Sequence, residues 1–152
     1  MTPTEREQIS TLYHDLIKAW NKRNAGAMAG LFAEEGNLIS FDGSQLNGQK
    51  EIYAVLDEIF NNFPTAAYVS IIKDIRLLTA DTALLLAVVG MVPVGEADIT
   101  PAVNAIQSIT VARVSENWRI ALLQNTPAAF HGRPEMAEQL SADLRAVLRT
   151  AQ

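Results

Sequence analysis

The chain has no cysteine, no concentration of Lys or Arg and no long apolar run. Without cysteine it cannot form a disulfide framework, a thiolate metal site or a cysteine nucleophile. Its 12 basic and 17 acidic residues give a net charge of −5, so a basic surface for nucleic acid is not expected. The longest apolar run, Ala83 to Val89, is too short to span a bilayer, and the polar start lacks the apolar segment of a signal peptide. We therefore expect a cytoplasmic protein that binds neither nucleic acid nor a membrane.

Metal and cofactor motifs are also missing from the sequence. The chain has two histidines, and neither lies beside a second His or a carboxylate at the spacing of a metal site. It has no Gly-rich phosphate loop and no nucleophile elbow. No metal and no cofactor are expected.

The first part of the chain carries the apolar period of amphipathic helices. Residues 2–5 (TPTE) have the pattern of a capping box with proline at the first helical position. The apolar residues behind this box fall on one stripe: Ile9, Leu12, Tyr13, Leu16, Ile17 and Trp20. A short second helix is predicted around Met28, and a third runs from Gly48 to Phe63, where Pro64 ends it.

The second part of the chain is predicted to be strands. Extended segments are expected over 37–41, 68–78, 82–92, 104–115 and 118–126, before a last helix from Pro134. Helices followed by a long sheet indicate an α+β fold. We expect one cone-shaped domain over 1–152, with three N-terminal helices on a strongly curved antiparallel sheet and a helical extension over 134–150. The hollow between helices and sheet is the natural place for a ligand.

Several short motifs occur in an order that is typical of one superfamily. They are Trp20, Asn24-Ala25-Gly26, Leu31 to Glu35, Asp42-Gly43, Leu46-Asn47-Gly48, Ile52, Trp118-Arg119-Ile120 and Gln124 to Pro127. With them the chain resembles the nuclear transport factor two-like (cystatin-like) superfamily, and within it the SnoaL-like and SgcJ/EcaC branch related to ketosteroid isomerase. The resemblance runs from about residue 4 to residue 130. It implies the cone-shaped fold, which hosts isomerases, cyclases, dehydratases and pure binding modules.

The resemblance does not extend to isomerase chemistry. Ketosteroid isomerase uses a carboxylate base together with a Tyr and a protonated Asp that hold the oxyanion. The matching positions of this chain carry Ser40 for the base, Ala19 for the Tyr and Gln107 for the Asp. Isomerisation by that mechanism is therefore not expected. Catalytic residues stay unassigned, and the nearest candidates for proton transfer are Asp42 and His131; Asp42 is interpreted first as a turn residue that bonds its own backbone.

The pocket wall can be predicted from strand alternation. If Gln107 points into the hollow, Ile109 follows it, and the neighbouring strand contributes Leu122 and Gln124. The predicted pocket is apolar with two amides, and Ser40, Tyr13, Trp20 and Tyr53 complete it. The alternative is that Gln107 and Gln124 simply bond to each other across the sheet.

The other side of the sheet is predicted to form an interface. If Leu84, Leu86 and Val88 fill the core, the residues on the opposite face are Leu85, Ala87, Val89 and Met91. Nothing else in the chain would cover such a face, so we expect a homodimer through it.

Two functional hypotheses remain open. The first is a dimeric domain of unassigned activity that binds a small, mostly apolar molecule in the cone pocket, with an enzyme of polyketide-like or secondary metabolism as one form of this hypothesis. The second is a non-catalytic association module that has no dedicated ligand.

Overall fold

The computed structural model describes residues 1–150 and contains four α-helices and six strands. The helices are α1 Pro3–Asn21, α2 Ala25–Ala29, α3 Gln49–Asn62 and α4 Pro134–Thr150. The strands are β1 Phe32–Ile39, β2 Gln45–Asn47, β3 Ala67–Thr79, β4 Thr82–Val92, β5 Ala105–Val114 and β6 Asn117–Pro127. The α+β class is confirmed. None of the helices within residues 1–150 combines the length and the apolar character of a membrane span.

The start of α1 follows from its capping box. The hydroxyl of Thr2 accepts a hydrogen bond from the backbone N–H of Glu5 at 3.1 Å, and the Glu5 carboxylate accepts one from the N–H of Thr2 at 3.0 Å. The apolar stripe of α1 is buried from Ile9 to Ile17. Arg113 of β5 adds a 2.7 Å ion pair with Glu5, which ties this helix end to the sheet.

The six strands form one curved sheet in the order β2-β1-β6-β5-β4-β3. Four of the five pairings are antiparallel, as expected, whereas β1 and β6 run parallel. The sheet is therefore mixed. The parallel pair arises because β1, which pairs with β2 on one side, lies on its other side beside β6, the last strand of a meander, and runs in the same direction. We call the face that packs against α1–α3 the inner face, and the opposite one the outer face.

The interface predicted on β4 lies on the wrong side of that strand. Leu85, Ala87 and Val89 are fully buried, with at most 1% of each side chain exposed, and Leu85 and Ala87 belong to the core under the helices. Met91 follows them on the inner face and lines the main cavity. The outward residues of β4 are the alternate ones, among them Leu84 and Leu86. The prediction failed because β4 is apolar at almost every position, so alternation carries no polarity that could distinguish its two faces.

Helix α4 packs on the outer face of its own sheet. Leu140 and Leu144 form a second, smaller apolar cluster with Val69 and Ile99. Contact is close at Gly90 of β4, where a Cβ atom would lie 3.1 Å from side-chain carbons of both Ile99 and Leu144. The helical extension predicted over 134–150 therefore packs against the chain's own sheet. It covers one end of the outer face.

A β-bulge in β6 changes the faces of that strand midway. Thr110 of β5 lies opposite Leu122, whereas the next residue, Val111, lies opposite Ile120. Ala121 is thus an extra residue on β6, and the alternation resumes with the opposite phase. This bulge decides which side chains of β6 reach the cavity.

Candidate functional site

A cavity of about 410 Å³ lies between α1, α3, the β1–β2 hairpin and the inner face of the sheet. Its volume falls in the range of small-molecule sites. Its apolar lining comes from Leu16, Ile17, Trp20, Met28, Leu38, Phe41, Leu46, Val55, Leu56, Ile59, Tyr68, Met91 and Leu123. The polar lining is limited to Ser40, Asp42, Ser44, Gln107 and Asn125. An apolar cavity with a few convergent polar groups is the usual form of a ligand site.

A chain of hydrogen bonds lies along the deep wall of the cavity. The hydroxyl of Tyr13 donates to Gln107 Oε1 at 2.6 Å, and Gln107 Nε2 donates to Asn125 Oδ1 at 3.1 Å. Asn125 Nδ2 then donates to the carbonyl oxygen of Ile39 at 3.0 Å. Only 1% of Gln107 is exposed. A buried amide is costly unless it is bonded, and this chain supplies its partners.

Two tyrosines near the cavity are held in the neutral form. Burial raises the pKa of Tyr13 far above its usual value, and it raises the pKa of Tyr68 to about 12. Both phenols therefore keep their protons at neutral pH. The Tyr68 ring also stacks obliquely on Trp20, with 5.2 Å between ring centroids. Trp20 is fixed in turn because its Nε1 donates to the carbonyl oxygen of Ala66 at 2.8 Å.

The mouth of the cavity is the turn between β1 and β2. Asp42 Oδ1 accepts a hydrogen bond from the backbone N–H of Ser44 at 2.9 Å, and Gly43 has a positive φ of 91°. This is the turn interpretation of Asp42. The hydrogen bonds from the Ser44 backbone and side chain lower the pKa of the Asp42 carboxyl, so it is ionised and a weak base.

Some of the residues predicted for the pocket lie on its wall. Trp20, Ser40 and Gln107 line the cavity, and so does Asp42 at its mouth. Tyr13 lies one layer behind, where it reaches the cavity only through Gln107.

Other predicted residues lie elsewhere. Ile109 is buried in the core behind the cavity, and Tyr53 is 46% exposed on α3. Leu122 and Gln124 were predicted to point inward, but the bulge at Ala121 turns both to the outer face. The bonding partner of Gln107 is accordingly Asn125 and not Gln124. His131 is exposed in the loop before α4 and does not line the cavity.

The lining residues that were missed from the sequence include four on strands β3, β4 and β6: Tyr68, Met91, Leu123 and Asn125. Tyr68 and Met91 are partners across the β3–β4 ladder, and the correct phase of β4 would have placed both of them. Leu123 and Asn125 depend on the bulge, which no turn residue or glycine marks in the segment RIALLQ. No local signal in the sequence could have located it.

Comparison with known proteins gives both a family and a fold. The model of the SnoaL-like domain family matches residues 2–124. A domain of unknown function with a cystatin-like fold from Nostoc punctiforme has a TM-score of 0.81 at 24% identity, and the match covers 99% of each chain. No functionally curated protein is a significant match.

Two further structures illustrate how the fold is used elsewhere. A ketosteroid isomerase-like protein from Erwinia carotovora atroseptica has a TM-score of 0.65 at 16% identity, with 84% of this chain and 98% of that chain covered. A candidate calcium/calmodulin-dependent protein kinase type II association domain from Thiobacillus denitrificans has a TM-score of 0.67 at 16% identity, with 78% and 93% covered. At these identities the similarity establishes the fold and not an activity.

Proposed function

Because the chain belongs to the SnoaL-like domain family, we propose that it binds a small, mostly apolar molecule in the cavity between its helices and its sheet. One observation carries this proposal: a cavity of about 410 Å³ with apolar walls contains the side-chain amides of Gln107 and Asn125. A buried amide lowers the stability of a core that is only packed, because it must be desolvated. In a ligand site the same amide orients a ligand that carries a matching polar atom.

The chemistry of the lining favours binding over proton transfer. Asp42 is the one carboxylate that lines the cavity within residues 1–150, and it is exposed, ionised and bonded to its own turn. The other ionisable group of the lining is Tyr68, whose pKa is too high for a base at neutral pH. If the domain is an enzyme of polyketide-like or secondary metabolism, it would act mainly by binding its substrate in a reactive conformation and orientation.

Filling the cavity tests the proposal. Val55 lines the cavity from α3, and Ala54 beside it is exposed, so Val55→Trp blocks the site and Ala54→Trp is a matched control. Native mass spectrometry of freshly purified protein should detect a small adduct on the wild type and on Ala54→Trp. Val55→Trp should lose this adduct while its circular dichroism stays unchanged. Equal retention by Val55→Trp would place the adduct outside the cavity and contradict the proposal.

We also propose that the domain is a homodimer through the outer face of the sheet. Half-buried apolar side chains of four adjacent strands lie there among the polar residues Ser108, Thr110 and Gln124: Leu84 and Leu86 of β4, Ile106 of β5, Leu122 of β6 and Ile39 of β1. Within residues 1–150, α4 packs over only one end of this face, around Gly90. A two-fold dimer would cover the rest with a second copy of the same patch.

The alternative function is an association module without a ligand. The apolar outer face favours it, as does the fold that the chain shares with the association domain from Thiobacillus denitrificans. In that case the dimer would form, but neither adduct nor added apolar probe would bind to the cavity. Ligand binding by a stable dimer would instead support the first proposal.

A further inference from the structure

The hydrogen-bond chain on the deep wall is anchored at one end by a backbone carbonyl. Asn125 Nδ2 lies 3.0 Å from the carbonyl oxygen of Ile39. Since a carbonyl oxygen can only accept, the NH₂ group of Asn125 must face Ile39 and its oxygen must face Gln107. The main chain of β1 therefore fixes the orientation of this amide.

The fixed direction continues through the next two residues. Asn125 Oδ1 can only accept, so Gln107 must turn its NH₂ group towards it, at 3.1 Å. Gln107 Oε1 then faces Tyr13, whose hydroxyl must donate, at 2.6 Å. Every bond in the chain thus runs from Tyr13 towards Ile39. Flipping Asn125 would lose two hydrogen bonds, and flipping Gln107 would lose its bond to Asn125.

The direction of these hydrogen bonds determines which hydrogen-bonding groups of the two amides stay unpaired. Each NH₂ group has two hydrogens, and one of them is used within the chain. Across residues 1–150 the second hydrogen of each group has no partner, whereas both amide oxygens already accept a bond. Both side chains line the cavity. At its deep end the cavity wall therefore carries two side chains that each keep one N–H without a protein partner within residues 1–150.

We propose that this deep end is a donor pair that selects ligands carrying a carbonyl-type acceptor, such as a ketone, quinone, ester or lactone. The inference rests on the proposed function and narrows its ligand class. A carbonyl oxygen has two lone pairs and can accept from both amides at once. An apolar ligand without an acceptor leaves two buried donors unpaired, and binds less tightly for that reason.

Tyr13 acts in this scheme as a positioning residue. It does not line the cavity, but its hydroxyl satisfies Gln107 Oε1 and so keeps the Gln107 NH₂ group turned towards Asn125 and the cavity. Without this hydroxyl, Gln107 can rotate to find another partner, while Asn125 stays anchored on Ile39. The donor pair is then reduced to one reliable donor.

The test compares two probes that differ in one group. 2-Acetylnaphthalene carries a ketone, and 2-isopropenylnaphthalene carries a C=CH₂ group of the same shape in its place. Burial of apolar surface alone favours the hydrocarbon, so a preference for the ketone requires hydrogen bonds. Isothermal titration of the wild type should give about tenfold tighter binding of the ketone. The side-chain NH₂ signals of Gln107 and Asn125 in ¹⁵N spectra should shift more with the ketone.

Three variants connect the preference to the chain of bonds. Asn125→Leu should reduce the preference to a few-fold, because Gln107 keeps its NH₂ group, and the hydrocarbon should still bind. Tyr13→Phe should likewise reduce the preference to a few-fold. Gln124→Leu removes an amide from the outer face of the same strand and should leave the preference unchanged. If Asn125→Leu does not fold, the affinities of the wild type for the two probes still test the inference.

The outcomes separate this inference from the proposed function. If the hydrocarbon binds as tightly as the ketone or more tightly, the donor pair is overturned but an apolar ligand site remains. If neither probe binds to the folded protein, both proposals are overturned. A ketone preference that is undiminished in Asn125→Leu would place the acceptor elsewhere and overturn the inference.

Discussion

Tyr13 and Gln107 are 94 positions apart in the chain, and a 2.6 Å hydrogen bond joins them beneath the cavity. This bond connects α1 to β5, so the placement of the first helix and the orientation of a cavity amide depend on each other. Both residues are almost completely buried, with 2% and 1% of their surfaces exposed. The same contact therefore affects both stability and the polar end of the site.

Removal of the Tyr13 hydroxyl should destabilise the protein. Tyr13→Phe leaves Gln107 Oε1 buried without its partner, which costs about 1–3 kcal/mol in the free energy of unfolding. Urea unfolding followed by circular dichroism measures this loss. Tyr53→Phe, on the exposed face of α3, should change the free energy by less than about 0.5 kcal/mol. Equal effects of the two substitutions would contradict the structural role of the bond.

Charges placed on the two faces of β4 should have opposite consequences. Leu86→Lys puts the charge on the outer face and should yield a folded monomer, whereas Leu85→Lys puts it into the core and should prevent folding. Analytical ultracentrifugation and circular dichroism report the two results. Leu78→Lys, at an exposed position near the β3–β4 turn, should remain folded and dimeric. A dimer that persists in Leu86→Lys would exclude the outer face as the interface.

The buried tyrosines predict a loss of stability at alkaline pH. The folded-state pKa of Tyr68 is raised from 10.0 to about 12, and that of Tyr13 is raised further. The folded state thus holds these protons more tightly than the unfolded state does. The contribution of the two phenols to the free energy of unfolding is complete below pH 10 and is lost as the pH rises through 12. The free energy of unfolding then falls by up to about 1.4 kcal/mol per pH unit for each phenol.

Urea unfolding at several pH values from 9 to 12 measures this dependence. In the double variant Tyr13→Phe/Tyr68→Phe the slope should be smaller, because the two buried phenols no longer contribute. An unchanged slope would mean that other groups cause the alkaline loss.

The close packing of α4 at Gly90 predicts an energetic coupling. Gly90→Ala places a Cβ atom 3.1 Å from Leu144 and Ile99, and this overpacking should destabilise the protein by about 1–3 kcal/mol. Combined with Leu144→Ala, the same substitution should cost less, because one of the two 3.1 Å contacts is then removed. Urea unfolding of the two single variants and the double variant gives the coupling. Gly26→Ala, whose nearest contact is at 3.7 Å, should be tolerated, and additive effects of Gly90→Ala and Leu144→Ala would contradict this packing.

The sequence was sufficient for the fold where local chemistry specifies a boundary. The capping box of Thr2 and Glu5 predicts the start of α1, and the turn residues Asp42-Gly43 predict the end of a strand. Strand β4 was predicted with its observed bounds, Thr82–Val92, because turn signals flank its apolar run. The helical stripes and the strand lengths contain enough information for the α+β class.

The site was less predictable, because it depends on which way each strand faces. In β4 both faces are apolar, so the choice between Leu85 and Leu86 is made by the fit against the helices and not by polarity. In β6 the insertion at Ala121 reverses the alternation, and Asn125 replaces Gln124 at the cavity. Gln107 was placed correctly because β5 has regular alternation throughout its predicted inward set.

The bulge at Ala121 also affects how the chain can change in length. Because β6 carries one residue more than β5 needs, deletion of Ala121 would straighten the strand while Leu123 and Asn125 kept their faces. An insertion or a second deletion would instead turn Gln124 inwards and withdraw Asn125. In this fold a one-residue length change in a single strand can therefore exchange the polar group at the bottom of the cavity, without any substitution among its lining residues.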